Sequence, residues 1–359
     1  MELKRNGTAT LMDVARVAGV SRSTAARALG GYGAVSPELQ AMVSAAAEAL
    51  GYRSNALARS VSSGRSHTIG VVVSDIENPH FARAVRGMTD AAKAAGFDVI
   101  LANTDENIDA ERAAVQVFLD KRVDGLIVAS TSRSDSGHLL DVVGMGRPLV
   151  LFDRRPDNVD SDWVGTDCYA DAKTVMEYLI SKGHRNIAFL SATTKTPEEL
   201  EAGHPLPIST IADRVRAVRE SARAAGVRYE FISDAMSPQK THVIVASLLN
   251  RRDRPSAIIA SYSKLALPAF QAIRAAGLTV PEDISLVCLD DADWMTVSCP
   301  EVHAISNPAY EMGMKAAEVL LGRIDGSGPE FKDHLLPATF TQRASVSDLA
   351  GVAVVTPIA

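Results

Sequence analysis

Cysteine is scarce. Cys168, Cys288 and Cys299 are the only three in 359 residues, and they lack the close spacing that a zinc site or a disulfide framework needs. Buried thiols in a reducing cytoplasm are the expectation. Long apolar runs are missing too: no stretch approaches the roughly 18 apolar residues that span a bilayer, so no membrane partner is expected. The opening MELKRNGTAT carries charge with no apolar core behind it, which reads against a secretory signal. Neither GxGxxG, GxSxG nor HExxH occurs. The acidic pair Asp290 and Asp291 ends an apolar run with no metal-ligand cluster around it. No catalytic residues, no metal and no cofactor are therefore expected, and the chain does not read as an enzyme.

What is present is an ordinary globular composition, 47% hydrophobic and 22% charged, in a chain long enough for two or three domains. The net charge of −6 hides an asymmetry. Residues 1–65 hold eight Lys or Arg and four acids, +4, which leaves 29 basic against 39 acidic residues, −10, for the remainder. A basic segment on an acidic body suggests that the first part meets a polyanion.

That first part is helical. In TLMDVARVAGVSRSTAARALGG, Thr10 and Ser21 stand where helix caps belong, and Thr10 with Asp13 approaches a capping box. Gly19 supplies a tight turn between two short helices. A third helix is predicted from Ser36 and Pro37 up to Gly51. Small Ala25, Ala26 and Ala28 let the second helix pack closely, while Arg22, Ser23 and Arg27 can project from it. A helix-turn-helix presents such a face to the major groove, where Arg donates to guanine or phosphate. The alternative is a solvated charged face on a packing helix.

RSNALARSVSSGRS, residues 53–66, is Ser-rich and basic and reads as a linker. From His67 onward, apolar runs such as TIGVVVS, VDGLIVAS, NIAFLSA and ISLVCLD alternate with amphipathic helical stretches. Two series of about four buried strands predict α/β architecture, two lobes of doubly wound parallel sheet behind a small all-α headpiece.

These features together resemble the LacI/GalR family of transcription regulators. The likeness runs through TLMDVARVAGVSRSTAARAL, TIGVVVSDIENPHF, RVDGLIVAS, STIADRVRAV, LTVPEDISLVCLDDADW and NPAYEMGMKAAEVLL. It implies a DNA-binding headpiece over 1–52, a hinge over 53–66 and a core over 67–359 similar to periplasmic sugar-binding proteins. That core would have two Rossmann-like lobes joined by three crossovers. The first lobe is expected at about 67–164 and 293–323, the second at about 165–292 and 324–350. The implied function is a repressor controlled by a sugar-like metabolite between the lobes, acting as a homodimer on a pseudo-palindromic operator.

By the same resemblance, Arg22, Ser23 and Arg27 read bases and Thr10 and Ser21 hold phosphates. NALARSV, with Asn55, Ala58, Arg59 and Val61, matches the hinge helix; Val61 stands where a Leu wedge is usual. A plain flexible tether is the alternative there. Lys4, Arg5, Arg53 and Arg59 are candidate phosphate contacts that would make affinity fall with salt.

Open α/β sheets bind ligands beyond the carboxyl ends of their strands. Candidate effector residues are therefore Asp75, His80, Phe81, Asp153 and Arg154 in the first lobe, and Thr210, Arg214, Tyr262, Asp290 and Trp294 in the second. Phe81 and Trp294 could stack on a sugar face or belong to the core, and His80 could equally cap a helix. Arg154 and Arg155 suggest an acidic ligand, although a solvated charge pair explains them better. The chain departs from the family pattern at Tyr262, at Ala235 and in the long segment TKTPEELEAGHPLPIS, 194–209. A transport-type solute-binding protein would share the two lobes, and an α/β enzyme with a helical accessory domain is the remaining rival. No Leu heptad is seen at the end of the sequence, so a dimer is expected over a tetramer.

Overall fold

The computed structural model describes residues 9–30, 33–52, 65–235, 237–328 and 330–350. Two compact units divide the chain: Met1–Thr68 with Arg122–Asp124, and Ile69–Lys121 with Gly125–Ala359. The hinge residues Asn55, Ala58, Arg59 and Val61 lie outside the described residues, as do Lys4, Arg5 and Arg53.

In the first unit, α1 (Leu11–Val17), α2 (Arg22–Gly30) and α3 (Pro37–Ala49) follow one another closely. Thr10 and Asp13 complete a reciprocal capping box at the start of α1. Ser21 Oγ accepts from the Thr24 amide at 3.1 Å, and Ser36 accepts from that of Leu39, ahead of Pro37. Gly19 turns the chain between α1 and α2 at φ +66°, where a side chain would be strained. Val14, Ala15, Ala18, Ala25, Ala28, Val43, Ala46 and Ala47 form the core. Because most of these side chains are methyl groups, three short helices can approach closely around it.

The second unit holds two six-stranded sheets among the described residues. The first is built on β1 (Thr68–Val73), β2 (Asp98–Asn103), β3 (Gly125–Val128), β4 (Leu149–Phe152) and β5 (Asp162–Gly165), with β11 (Asp333–Leu335) beside β5; its order is β11-β5-β4-β3-β1-β2. The second has β6 (Asn186–Leu190), β7 (Arg228–Ile232), β8 (Ala257–Ala260), β9 (Ser285–Cys288), β10 (His303–Ser306) and β12 (Thr339–Thr341), in the order β12-β10-β9-β8-β6-β7. In the first sheet β1–β3, β3–β4, β4–β5 and β5–β11 pair in parallel; in the second β6–β7, β6–β8, β8–β9 and β9–β10 are parallel and β10–β12 is antiparallel.

Helices cover both sheets. They are α4 (Pro79–Ala94), α5 (Ile108–Asp120), α6 (Gly137–Gly144), α7 (Cys168–Ser181), α8 (Pro197–Glu201), α9 (Ser209–Ala225), α10 (Pro238–Leu249), α11 (Ser263–Ala275) and α12 (Ala309–Ile324). In the first lobe α4 and α12 cross so closely that a Cβ on Gly87 would overlap the Tyr310 backbone, and one on Gly313 that of Ala84. Glycine at both positions is what lets the helices touch.

The lobe boundaries differ from those read in the sequence. Residues 303–306 were expected in the first lobe, yet β10 pairs with β9 of the second sheet. Residues 333–335 were expected in the second lobe, yet β11 extends the first sheet through β5. The chain thus crosses between β5 and α7, between β10 and α12, and between β11 and β12. Pairing across a sheet edge decides these placements, and three- or four-residue strands carry too little pattern to announce it.

Candidate functional site

On α2, the small residues face inward and the polar ones outward. Ala25 and Ala28 are buried, while Arg22, Ser23 and Arg27 are exposed. Arg27 bends its Nε toward the Ser23 carbonyl at 3.4 Å, leaving the rest of the guanidinium toward solvent. The Thr10 and Ser21 hydroxyls are engaged as caps, and both residues are exposed at helix amino termini, where free amides favour anions.

Between the two lobes lies a cleft of ≈ 910 Å³, lined by loops that follow the strands of both sheets. It includes Asp75, His80, Phe81, Asp153 and Arg154 from the first lobe and Thr210, Arg214, Tyr262 and Asp290 from the second. Nine of the ten candidate effector residues therefore converge there. Trp294 does not line it. The 3-10 turn Asp293–Thr296 lays its indole against Phe270 of α11, ring centroids 6.0 Å apart, at the margin of the second lobe's core. Burial of a large apolar ring decides its direction. Phe81 serves both readings, since one part reaches the cleft while the residue is 2% exposed among core residues.

The His80 Nε2 atom is 3.4 Å from Asp153 Oδ1, an ion-pair separation in which Nε2 makes no hydrogen bond. Capping of α4 falls to Asn78, which accepts from the His80 amide. Burial alone would lower the histidine pKa; the Asp153 charge, with Asp290 behind it, raises it overall. Asp153 is held down to about 2: burial opposes ionisation, but His80, Arg154 and Arg214 outweigh it. Its backbone is left-handed at φ +59°, as are those of Asp105 and Glu106 at the cleft edge. Non-glycine residues held this way mark places where the fold keeps a side chain in a fixed direction at a cost.

Arg154 is buried, not solvated. Its guanidinium forks onto Glu106, with Nη2 2.7 Å from Oε1, and stands 5.5 Å from the Phe81 ring centroid. Arg155 is turned away to Asp333 at 2.6 Å. Arg214 donates to the Ser261 carbonyl at 2.8 Å. Asp290 is 5% exposed, and burial raises its pKa against the pull of His80 and Arg214. Asp75 accepts from Lys264 at Oδ2, 2.7 Å, and from the Glu77 amide at Oδ1, so each of its oxygens already has a partner.

Lys264, Glu106 and Ser261 are cleft residues that the sequence reading missed. Glu106 could have been found, for it follows β2 as Asp75 follows β1. Lys264 sits two residues after Tyr262, but its role depends on the opposite lobe being near. The long segment 194–209 lines the cleft through Thr194, Pro207 and Ile208, and the Pro207 carbonyl accepts from the Arg133 amide of the first lobe at 2.8 Å. Ala235 also lines it. Cys168 and Cys288 are buried; Cys299 is exposed, against expectation. Among the described residues no helix is long and apolar enough to cross a membrane, and no cluster of His, Cys, Asp or Glu could hold a metal.

Residues 10–55 match the family described as bacterial regulatory proteins, lacI family, and residues 176–346 match the periplasmic binding protein-like domain. The ribose operon repressor of Escherichia coli strain K12 is 30% identical over 321 residues, 88% of this chain and 93% of its own. This chain belongs to the lacI family of bacterial regulatory proteins. Family membership makes it a DNA-binding transcription regulator and sets aside the transport-protein reading. A lac repressor dimer solved with operator and the anti-inducer ONPF has the same fold: TM-score 0.80 at 24% identity, covering 95% of this chain and 100% of that one. A LacI family transcriptional regulator from Enterococcus faecium, solved with bound ribose, aligns at TM-score 0.67 and 27% identity over 79% of this chain and 99% of that one.

Proposed function

We propose that this family member is a cytoplasmic, homodimeric repressor whose affinity for a pseudo-palindromic operator is set by a small polar metabolite, a sugar or sugar derivative, held between the core lobes. In this reading Arg22, Ser23 and Arg27 meet base edges, and Thr10 and Ser21 meet phosphates. No catalytic step is assigned to the chain.

The observation that carries the ligand-controlled part is the unsatisfied lining of the cleft. Among its residues, Thr131 Oγ1 and Ser261 Oγ are buried with no hydrogen-bond partner, and His80 Nε2 and Arg154 Nε, also without one, have the Asp153 carboxylate at 3.4 and 3.9 Å. Buried polar atoms are nearly always paired, and leaving one unpaired costs about 1–3 kcal/mol. A hydroxyl-rich ligand supplies both donors and acceptors to such a wall. The relatives point the same way: one is named for the ribose operon and another was solved with ribose. Two headpieces per complex follow from contact area, since one short helix in one groove buries little and a symmetric dimer doubles the contacts.

Selection of duplexes from a randomised pool by the full chain, at moderate ionic strength, tests the DNA half. Enrichment of a two-fold symmetric site is expected; a pool that stays random overturns the reading. Coupling is reciprocal, so a metabolite that changes operator affinity by a given factor must have its own affinity changed by that factor when operator is bound, typically worth about 1–3 kcal/mol. Equal metabolite affinity with and without operator removes the allosteric half.

A further inference from the structure

Charge in the cleft is lopsided. Seven carboxylates line it against three Lys or Arg side chains, Arg154, Arg214 and Lys264. Two of the three are held in ion pairs by the protein itself. Arg154 is forked onto Glu106. Lys264 is shared by Asp75 at 2.7 Å and Glu77 at 3.2 Å. Arg214 donates one N–H to the Ser261 carbonyl at 2.8 Å and one to that of Leu289 at 3.5 Å; it makes no ion pair among the described residues and lies in the field of Asp153 and Asp290. His80 faces Asp153, 3.4 Å away. Asp290, by contrast, is buried with no Lys, Arg or His within ion-pair distance among the described residues.

We infer that the ligand of this cleft is a neutral polyhydroxylated molecule, and that the cleft refuses its carboxylate- or phosphate-bearing counterparts. The inference rests on the ligand-binding reading given above. A hydroxyl can donate to the Asp290 carboxylate and accept from Arg154 Nε or His80. An incoming anion would have to displace Glu106 or Asp75 from its partner, or settle on Arg214, the cleft cation without an ion pair among the described residues, within the field of Asp153 and Asp290. Arg154, forked onto Glu106, is thereby withheld from an anionic ligand.

Matched pairs test this on the full chain: D-galactose against D-galacturonate, D-glucitol against D-gluconate, and D-ribose against ribose 5-phosphate, each followed by thermal shift and calorimetry at one pH and ionic strength. The expected result is that at least one neutral member raises the melting temperature by mass action and binds at least tenfold more tightly than its charged counterpart. Equal or tighter binding of a charged member overturns the inference. Failure of every member to bind overturns the polyhydroxylated class, while symmetric-duplex selection by the same preparation leaves the regulator reading standing. Glu106→Gln frees Arg154 and is expected to raise the affinity of a charged member at least tenfold while lowering the preference for its neutral partner. An unchanged preference in folded E106Q protein removes Glu106 from the discrimination. Should that variant not fold, the wild-type panel still decides.

Discussion

Lys264, on the first turn of α11 in the second lobe, reaches across the cleft to the first lobe's Asp75, 2.7 Å from Nζ to Oδ2. Both side chains are partly exposed, so the pair is worth no more than about 1 kcal/mol. That is still enough to bias two lobes also linked by hydrogen bonds from the Arg133 amide to the Pro207 carbonyl and from the Arg155 amide to Ser209 Oγ. Lys264→Ala is expected to leave global stability within about 1 kcal/mol of wild type while quickening amide exchange in residues 74–78 and 262–266. Unchanged exchange in both segments would show that the pair does not hold the lobes together.

Two buried histidines make the second lobe acid-sensitive. His184 sits between Ser256 and Ser285, and His303 between Ser345 and Tyr178. Burial pushes each down to about 4 from an ordinary 6.5. The folded state therefore binds fewer protons than the unfolded one. Stability is fully present above about pH 6.5, falls as the pH drops toward 4, and levels off below. Each histidine is expected to contribute about 1–3 kcal/mol of this loss. Urea denaturation at intervals from pH 7.5 to 4 measures it; His184→Gln and His303→Gln should each flatten the curve, and a variant curve parallel to wild type would contradict the assignment.

Gly313→Ala is expected to destabilise by about 1–3 kcal/mol through overpacking, because the added Cβ would overlap the Ala84 backbone where α4 and α12 cross. Gly137→Ala is the matched control: nothing lies within 4 Å of its would-be Cβ, and it opens a helix, so little change is expected. Equal denaturation midpoints for the two variants would mean that the helices can part without cost.

In the headpiece, Arg27→Ala is expected to weaken the selected duplex by about 1–3 kcal/mol and to relax preference at one base position if Arg27 reads a base. A uniform loss across all duplexes, with a shallower salt dependence, would make it a phosphate contact. Competition titrations against singly substituted duplexes distinguish the two.

The strands visible in the sequence are apolar runs: β1, β3, β4, β6, β8 and β9 are almost wholly buried, while β2 and β7, at the ends of their sheets, are partly exposed but still carry apolar residues. The invisible ones, β5, β10, β11 and β12, are three- or four-residue segments carrying Asp, Trp, His, Ser or Thr, and pairing with a neighbouring strand is what places them. At the cleft, Asp153, Arg214 and Asp290 were legible because strand ends and a helix start fix their positions along the chain. Trp294 was not, since the direction of a side chain on a one-turn helix is set by what it packs against. Lys264 was not, since an ion pair over a separation of 189 residues leaves no local trace.

The backbone passes between the sheets at 165–168, 306–309 and 335–339. Three parallel passages behave like a strap hinge with three pins. The lobes can swing about a common axle by small twists at those places, but sliding one past the other would strain all three at once. Any signal sent by filling the cleft must therefore arrive elsewhere in the chain as a turn through an angle, and a mutation that stiffens one pin would mute that signal without touching either the ligand or the DNA.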